Sequence, residues 1–446
     1  PGTRERRAHE TTSRRRHLGR LRRRLRHPPA RDPERPPRRR DAPRPDEARG
    51  AHDRRGDHLG CGRGARSRLG GPPRRRHRRV DRLRLLSDHG DGRRSVLDPH
   101  RLRIQHRSDS IEHTAHFIVI AVGTEPNRPS DIPFDDISII DTDGLLTLKR
   151  IPDSIVIVGG GVIGTEYASI LAAVGVPTTL IDKRPRLLEF ADDEIIDMFQ
   201  QELKELGVIL YHEEEVVEIK RGADNSIDVR LRHAKPIQAS ALMYAIGRVG
   251  ATKELNLEAA GLKSDNRGRL SVNEHFQTSI PHIYAAGDVI GFPALASTSM
   301  QQGRHASCHA FGHPDHTDNS LLPYGIYSIP QISMVGRNEE ELTQAGVPYA
   351  VGIARYKEIA RGLLMGDEAG MLKLLFHRNT KHLLGVHIIG EGATELIHIG
   401  QAVMAFHGKV DYFIDTVFNY PTLAECYKVA ALDGMNRMSG SWIPYI

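Results

Sequence analysis

The first 116 residues contain no phenylalanine, tyrosine or tryptophan, isoleucine first appears at Ile104, lysine at Lys149 and methionine at Met198. A segment so poor in large apolar side chains cannot bury enough surface to offset the entropy of ordering its backbone, so residues 1–95 are expected to be disordered as written. Arginine fills the space instead. Residues 1–95 hold 32 arginines, no lysine and 12 acids, a surplus of 20 positive charges, whereas the remainder holds 31 basic and 44 acidic residues, a deficit of 13. A basic arm for polyanions is one reading of that front. Against it, the arginines are mixed with proline, glycine, histidine and aspartate in no repeating order, the residue set that an out-of-frame reading of a GC-rich coding region yields, and we adopt that explanation. The start on Pro1 reads as the loss of an upstream portion. With no aromatic side chain to stack on bases, no nucleic-acid partner is expected.

Cysteine is also scarce. Cys61, Cys308 and Cys426 are far apart and form no C-x-x-C pair, which speaks against a disulfide framework or a zinc site, so no metal is expected and a reducing compartment fits. No run of 18 apolar residues and no signal-like start is present, so the expectation is a soluble cytoplasmic protein.

What the chain does have is a dinucleotide turn. Residues 154–158 read Ser-Ile-Val-Ile-Val, a run apolar on both faces as in a buried parallel sheet, and Gly159, Gly161 and Gly164 follow as G-x-G-x-x-G. The first glycine makes the tight turn, the second lets a pyrophosphate approach the backbone, and the third lets the next helix pack on the strand. That helix aims its unpaired N–H groups and positive dipole end at the phosphates. Asp182 ends the next strand, about 20 residues on, where a carboxylate receives the adenine-ribose 2′-hydroxyl. Lys183, Arg184 and Arg186 follow at once; any one of them alone reads as part of a solvated loop, but cations there can accept a 2′-phosphate, and together with Asp182 they point to tolerance of both NAD and NADP.

The remaining pattern divides the chain. We expect an Arg-rich segment over residues 1–95, a remnant of an FAD domain over 96–149, an NAD(P)-binding Rossmann-like domain over 150–273, the C-terminal part of the FAD domain over 274–322 and a dimerisation domain over 323–446. Residues 117–122 read as a strand running into Gly123. Acids at 192–194 open a helix with Ile195, Ile196, Phe199, Leu203 and Leu206 on one face, and Gly207 closes it. Residues 215–232 alternate as an antiparallel excursion. Residues 278–288 form a strand that delivers Asp288 on a glycine turn, where its carboxylate can accept sugar-alcohol hydroxyls. Runs at 326–335, 371–376 and 383–389 surround an apolar helix over 393–404, and a sheet with helices on one side is expected.

In this order, residues 159–169 (Gly-Gly-Gly-Val-Ile-Gly-Thr-Glu-Tyr-Ala-Ser), 286–291 (Ala-Gly-Asp-Val-Ile-Gly), 325–330 (Gly-Ile-Tyr-Ser-Ile-Pro), 396–401 (Leu-Ile-His-Ile-Gly-Gln) and 418–422 (Phe-Asn-Tyr-Pro-Thr) resemble the flavoprotein disulfide reductase superfamily. Within it, the sequence is most similar to the soluble FAD-containing, Si-specific pyridine nucleotide transhydrogenases. The resemblance implies an α/β flavoprotein with two dinucleotide-binding domains and a C-terminal α+β dimerisation domain. Its first FAD βαβ unit is missing or scrambled, because neither a second G-x-G-x-x-G nor a redox-cysteine helix stands in residues 1–95.

By position, the resemblance assigns Gly159, Gly161, Gly164, Glu166, Asp182 and Gly247 to NAD(P). Gly123, Gly287 and Asp288 go to FAD, with Ala296 near the isoalloxazine ring. The asparagine that the family carries after the Gly-Arg turn is displaced, Gly250 and Ala251 standing nearby. A homodimer or larger homo-oligomer follows, with Tyr420 and Glu425 presented to the partner's flavin. The disulfide reductases carry histidine before this Pro-Thr, paired with a glutamate five residues later, because a thiol must lose its proton near neutral pH. An imidazole of pKa about 6.5 does that and a phenol of about 10 does not. Tyr420 is equally well explained as a packed aromatic, but the absence of histidine separates the enzymes. The implied activity is hydride transfer from NADPH to NAD through FAD, which balances the two nicotinamide pools. The rivals are a dihydrolipoamide dehydrogenase-like reductase and a polyanion-binding protein using the arginine front.

Overall fold

The computed structural model describes residues 92–106, 109–222, 226–314 and 321–439. Every described residue belongs to one compact unit, Leu83–Ile446. Of the segment expected to be disordered and out of frame, residues 1–91, with Cys61, fall outside the described residues; residues 92–95 correct the expected limit at 95, because they are paired within the strand Gly92–Asp98.

Three antiparallel strands open the described chain: β1 (Gly92–Asp98), β2 (Arg101–His106) and β3 (Asp109–Thr114). The strand expected over 117–122 is β4 (Ile118–Ile120). It pairs in parallel with the distant β15 (Ile283–Ala285), so Gly123 and Gly287 emerge at the same end of the pair. Between them the chain leaves through β5 (Thr124–Pro126) and returns through β14 (Arg248–Gly250), which pair antiparallel. The nucleotide domain is therefore an insertion held at one neck.

That insertion is built on a five-stranded parallel sheet in the order β6 (Ile139–Asp141), β13 (Ala241–Tyr244), β7 (Ile155–Val158), β8 (Thr178–Ile181), β9 (Ile209–Tyr211). Every residue of β7 and β8 is buried, as strands covered on both faces require. The expected boundary at 149/150 needs correction: β6 lies inside the span given to the FAD remnant, yet it is the parallel edge of this sheet, and Leu145 and Leu148 pack on the same core. Helix α1 (Val162–Ala173) crosses from β7 to β8, and α2 (Asp193–Glu205) from β8 to β9. Asp192 caps α2 by accepting the Glu194 N–H at 3.2 Å, and Ile195, Ile196, Phe199 and Leu203 form its buried face. The antiparallel excursion is β10 (Val216–Arg221), β11 (Ile227–Leu231) and β12 (Ile237–Ala239).

After α3 (Ala296–Ala310) comes an antiparallel sheet in the order β16 (Tyr324–Ile326), β17 (Ile332–Gly336), β20 (Leu383–Ile389), β19 (Met371–His377), β18 (Tyr349–Arg355). The single run expected over 326–335 is two strands, because the chain folds back through Pro330 and Tyr324 pairs with Met334. Short helix α4 (Glu339–Gln344) follows β17, α5 (Ala393–Ala405) packs on β17 and β20, and α6 (Glu425–Ser439) packs on β18 and β19.

Two kinds of contact join this sheet to the nucleotide domain. Ile326, Ile332, Met371 and Ile389 belong to the same apolar cluster as Ile195, Phe199 and Leu203. Beside them Lys373, on β19 and 1% exposed, sends its ammonium to Asp192 at 2.9 Å, Glu194 at 3.3 Å and Glu339. Burial disfavours the charged amine, but the carboxylates outweigh it and raise its pKa. Its stabilising contribution is therefore complete below the ordinary lysine value and is lost only as pH climbs through the raised one.

Replacing Lys373→Met should cost about 3 kcal/mol in denaturant unfolding, since it strands buried Asp192 beside two other acids. The double variant Lys373→Met/Asp192→Asn, which keeps a capping side chain, should recover part of that loss. Little or no loss in Lys373→Met would show that the apolar contacts, not the charges, hold the two domains together.

Candidate functional site

The turn after β7 is shaped by two close approaches. Gly159 has φ +114°, and a side chain there would meet the Ala245 carbonyl, while a methyl at Gly164 would overlap the Gly159 carbonyl oxygen. Only glycine satisfies both, and α1 thereby begins directly on top of the strand end. At Gly161, by contrast, nothing lies within 4 Å of a built Cβ. Gly161 is the N-cap residue of α1 and no side chain caps that helix, so its first N–H groups face open space. This is the arrangement a pyrophosphate needs.

Asp182 ends β8 with only 6% of its surface exposed. Its carboxylate accepts the Gly160 N–H, the Arg184 N–H at 2.8 Å, and the Arg184 guanidinium at 2.9 and 2.7 Å. Burial pushes the carboxyl up, but the Arg184 and Gly160 hydrogen bonds outweigh it and hold it below its usual value. The acid is thus anchored to the glycine turn itself. Gly247 follows β13, next to the neck, and its carbonyl accepts the Asn127 N–H at 3.2 Å.

Glu166 is engaged elsewhere. Its carboxylate accepts the Tyr327 N–H at 2.8 Å, and Ser169 one turn on accepts the Ile329 N–H at 3.0 Å, so α1 is pinned to the hairpin between β16 and β17. Burial raises the Glu166 pKa, partly offset by the Tyr327 bond.

The second constellation forms where β4 and β15 end. Gly123 and Asp288 are brought together: the Thr124 hydroxyl stands 3.4 Å from the Asp288 carboxylate. The buried side chain of Gln302, on α3, accepts the Gly287 N–H at 2.7 Å and fixes the turn. Ala296 is the exposed first residue of α3, whose N-terminus has no side-chain cap. These residues fit one half of a flavin site, with an accessible carboxylate for sugar-alcohol hydroxyls and free N–H groups beside it. The other half would lie outside the described residues.

Arg248 ties the two constellations at the neck. It donates to the Thr124 hydroxyl at 2.9 Å and carbonyl at 2.8 Å, and to Asp143 at 3.0 Å. Sequence reasoning quoted the Gly-Arg turn but missed this role, along with Thr124 and Gln302. The arginine's place beside Gly247 was its only signal.

Tyr420 and Glu425 are not joined. Tyr420 is 74% exposed and its hydroxyl makes no hydrogen bond among the described residues, whereas one carboxylate oxygen of Glu425 is buried without a partner. Leu363, Leu364, Phe406 and Val417 are exposed in the same domain. Among the described residues, no group of three metal-ligating side chains is poised for an ion, and no helix is long and apolar enough to cross a membrane.

Two nucleotide-type turns joined by one neck, with an antiparallel domain behind them, define a pyridine-nucleotide flavoprotein oxidoreductase. Residues 83–303 match the pyridine nucleotide-disulphide oxidoreductase family, and residues 322–431 match its dimerisation domain. A soluble pyridine nucleotide transhydrogenase of Mycobacterium tuberculosis is 49% identical over 80% of this chain and 76% of its own. One from Colwellia psychrerythraea is 46% identical over 79% and 76%. Among solved structures, the Cu(II) complex of an HOCl-induced flavoprotein disulfide reductase from Escherichia coli superposes with a TM-score of 0.72 at 28% identity, over 77% of each chain. The chain belongs to the soluble pyridine nucleotide transhydrogenase family, whose cofactors are FAD and NAD(P).

The three glycines should separate by experiment. Gly164→Ala should lower stability by about 1–3 kcal/mol through overpacking. Gly161→Ala should leave the unfolding midpoint nearly unchanged, yet weaken NAD binding by at least about tenfold, because only a ligand meets the new methyl. Equal stability losses in the two would contradict the open cradle at Gly161.

Proposed function

We infer that this chain transfers hydride between NADPH and NAD through FAD, as a homodimer in the cytoplasm and without a nucleic-acid partner. The observation that carries the choice among flavoproteins is Tyr420, exposed before Pro421 where a thiol-handling enzyme needs an imidazole. A phenol of pKa about 10 cannot take a thiol proton near neutral pH. Exposure of Tyr420, Phe406 and Val417 supports a partner subunit on that face.

The flavin, when bound, would supply the hydride-transfer chemistry between the two nicotinamides. The chain's own residues supply position. Gly159, Gly161 and Gly164 would hold the pyrophosphate on α1, Asp182 would receive the adenine ribose, and Gly123, Gly287 and Asp288 would hold the flavin's sugar alcohol. Arg248 keeps the neck closed on Thr124, so the nucleotide domain keeps a fixed distance from the flavin half-site. Because both nucleotides carry the same nicotinamide, their couples have nearly equal potentials and concentration ratios set the direction.

With FAD supplied, the protein should reduce thio-NAD from NADPH with no disulfide added. Turnover with lipoamide should be lower by at least about 100-fold, the smallest usual contribution of a general base. Lipoamide turnover matching the thio-NAD rate would return the chain to the disulfide reductases.

A further inference from the structure

Asp182 stands where a ribose diol is expected, yet its carboxylate is already fully engaged. A carboxylate accepts about four hydrogen bonds. Here the four donors are the Gly160 N–H and the Arg184 N–H, Nε and Nη2. Arg184 alone provides three of them, two through its guanidinium.

The neighbouring cations are not equivalent to it. Arg186 is drawn away to α2, with 3.0 Å to the Asp193 carboxylate, 2.8 Å to the Asp193 carbonyl and 2.8 Å to Asp197. Lys183 is exposed. The Arg184 side chain is 36% exposed while that of Asp182 is 5% exposed, so the guanidinium lies between the acid and solvent. It is the movable donor of the set, since the other two are backbone groups.

We propose that Arg184 is a gate on nucleotide choice: it closes Asp182 in the free protein, must leave for the ribose diol of NAD to bind, and moves onto the 2′-phosphate of NADP. The proposal rests on the dinucleotide reading of the turn at 159–164. For NAD, the guanidinium gives up its carboxylate and gains only water, so apparent affinity falls with the fraction of time the gate stands open. For NADP, it exchanges a carboxylate for a phosphate that matches the same planar fork. One side chain therefore pushes two affinities in opposite directions, which a residue that merely braces the loop does not do.

The test is calorimetric titration of the full chain with NAD and with NADP, in the oxidised forms so that no turnover is involved. Arg184→Met should weaken NADP about tenfold to 100-fold, the usual worth of charged hydrogen bonds. The same change should tighten NAD about two- to fivefold, a modest gain because the pair is partly screened. Arg184→Lys, which keeps the charge without the fork, should keep part of the NADP affinity. If Arg184→Met melts early, Arg184→Lys carries the comparison and must still lower NADP affinity relative to NAD. Parallel weakening of both nucleotides, or no change in either, overturns the gate. Failure of the unaltered protein to bind either nucleotide overturns the dinucleotide reading itself, and the gate with it.

Discussion

A single buried ammonium fixes the geometry on which the rest of this molecule depends. Lys373 reaches from the antiparallel sheet into a ring of carboxylates contributed by both domains, Asp192 and Glu194 from the nucleotide domain and Glu339 from α4. Apolar contact alone, through Ile326, Ile332, Met371 and Ile389, would attract the two domains without choosing one orientation. The buried pair of Lys373 and Asp192 favours one orientation, because separating the domains' registers would strand a buried charge. The Glu166 and Ser169 bonds to the hairpin repeat the constraint at the dinucleotide helix.

The same constraint explains why a domain joined only at a neck can serve a reaction that demands close positioning. β5 and β14 alone form a two-stranded ribbon, which is marginal by itself. Arg248 stiffens it by bonding both the hydroxyl and the carbonyl of Thr124, and the Lys373 cluster adds a second attachment through α2. Two attachments restrict the nucleotide domain more than the neck alone would. Orientation is thus fixed by the fold before any ligand arrives, the condition under which binding energy can be spent on approach of the reacting atoms.

The sequence disclosed what is local. β7, the glycine turn, α1 and Asp182 were legible because periodicity, glycine spacing and an acid at a set distance coincide within 30 residues or so. The acidic start of α2 was legible as a cap for the same reason. β6 was not: three residues in a loop rich in proline and aspartate carry no period, and only pairing with β13 makes them a strand. Lys373 was equally silent, since a lysine in an apolar strand reads as a residue turned to solvent, and its acids lie far away in the chain. Lys183, Arg184 and Arg186 looked interchangeable in the sequence, and only the distances to Asp182, Asp193 and Asp197 separate them.

Where the molecule buries its charge also bears on its chemistry. The tightly held ions, Lys373 with its acids and Arg184 with Asp182, sit at a domain junction and beside the glycine turn. On the dimerisation domain, Tyr420 stands exposed, and the buried oxygen of Glu425 has no partner among the described residues. A thiol relay would need a base there to remove and return protons. Hydride transfer between two nicotinamides carries the hydrogen nucleus together with an electron pair and asks for no such base. The protein's polar groups are then free to position cofactors rather than to move protons.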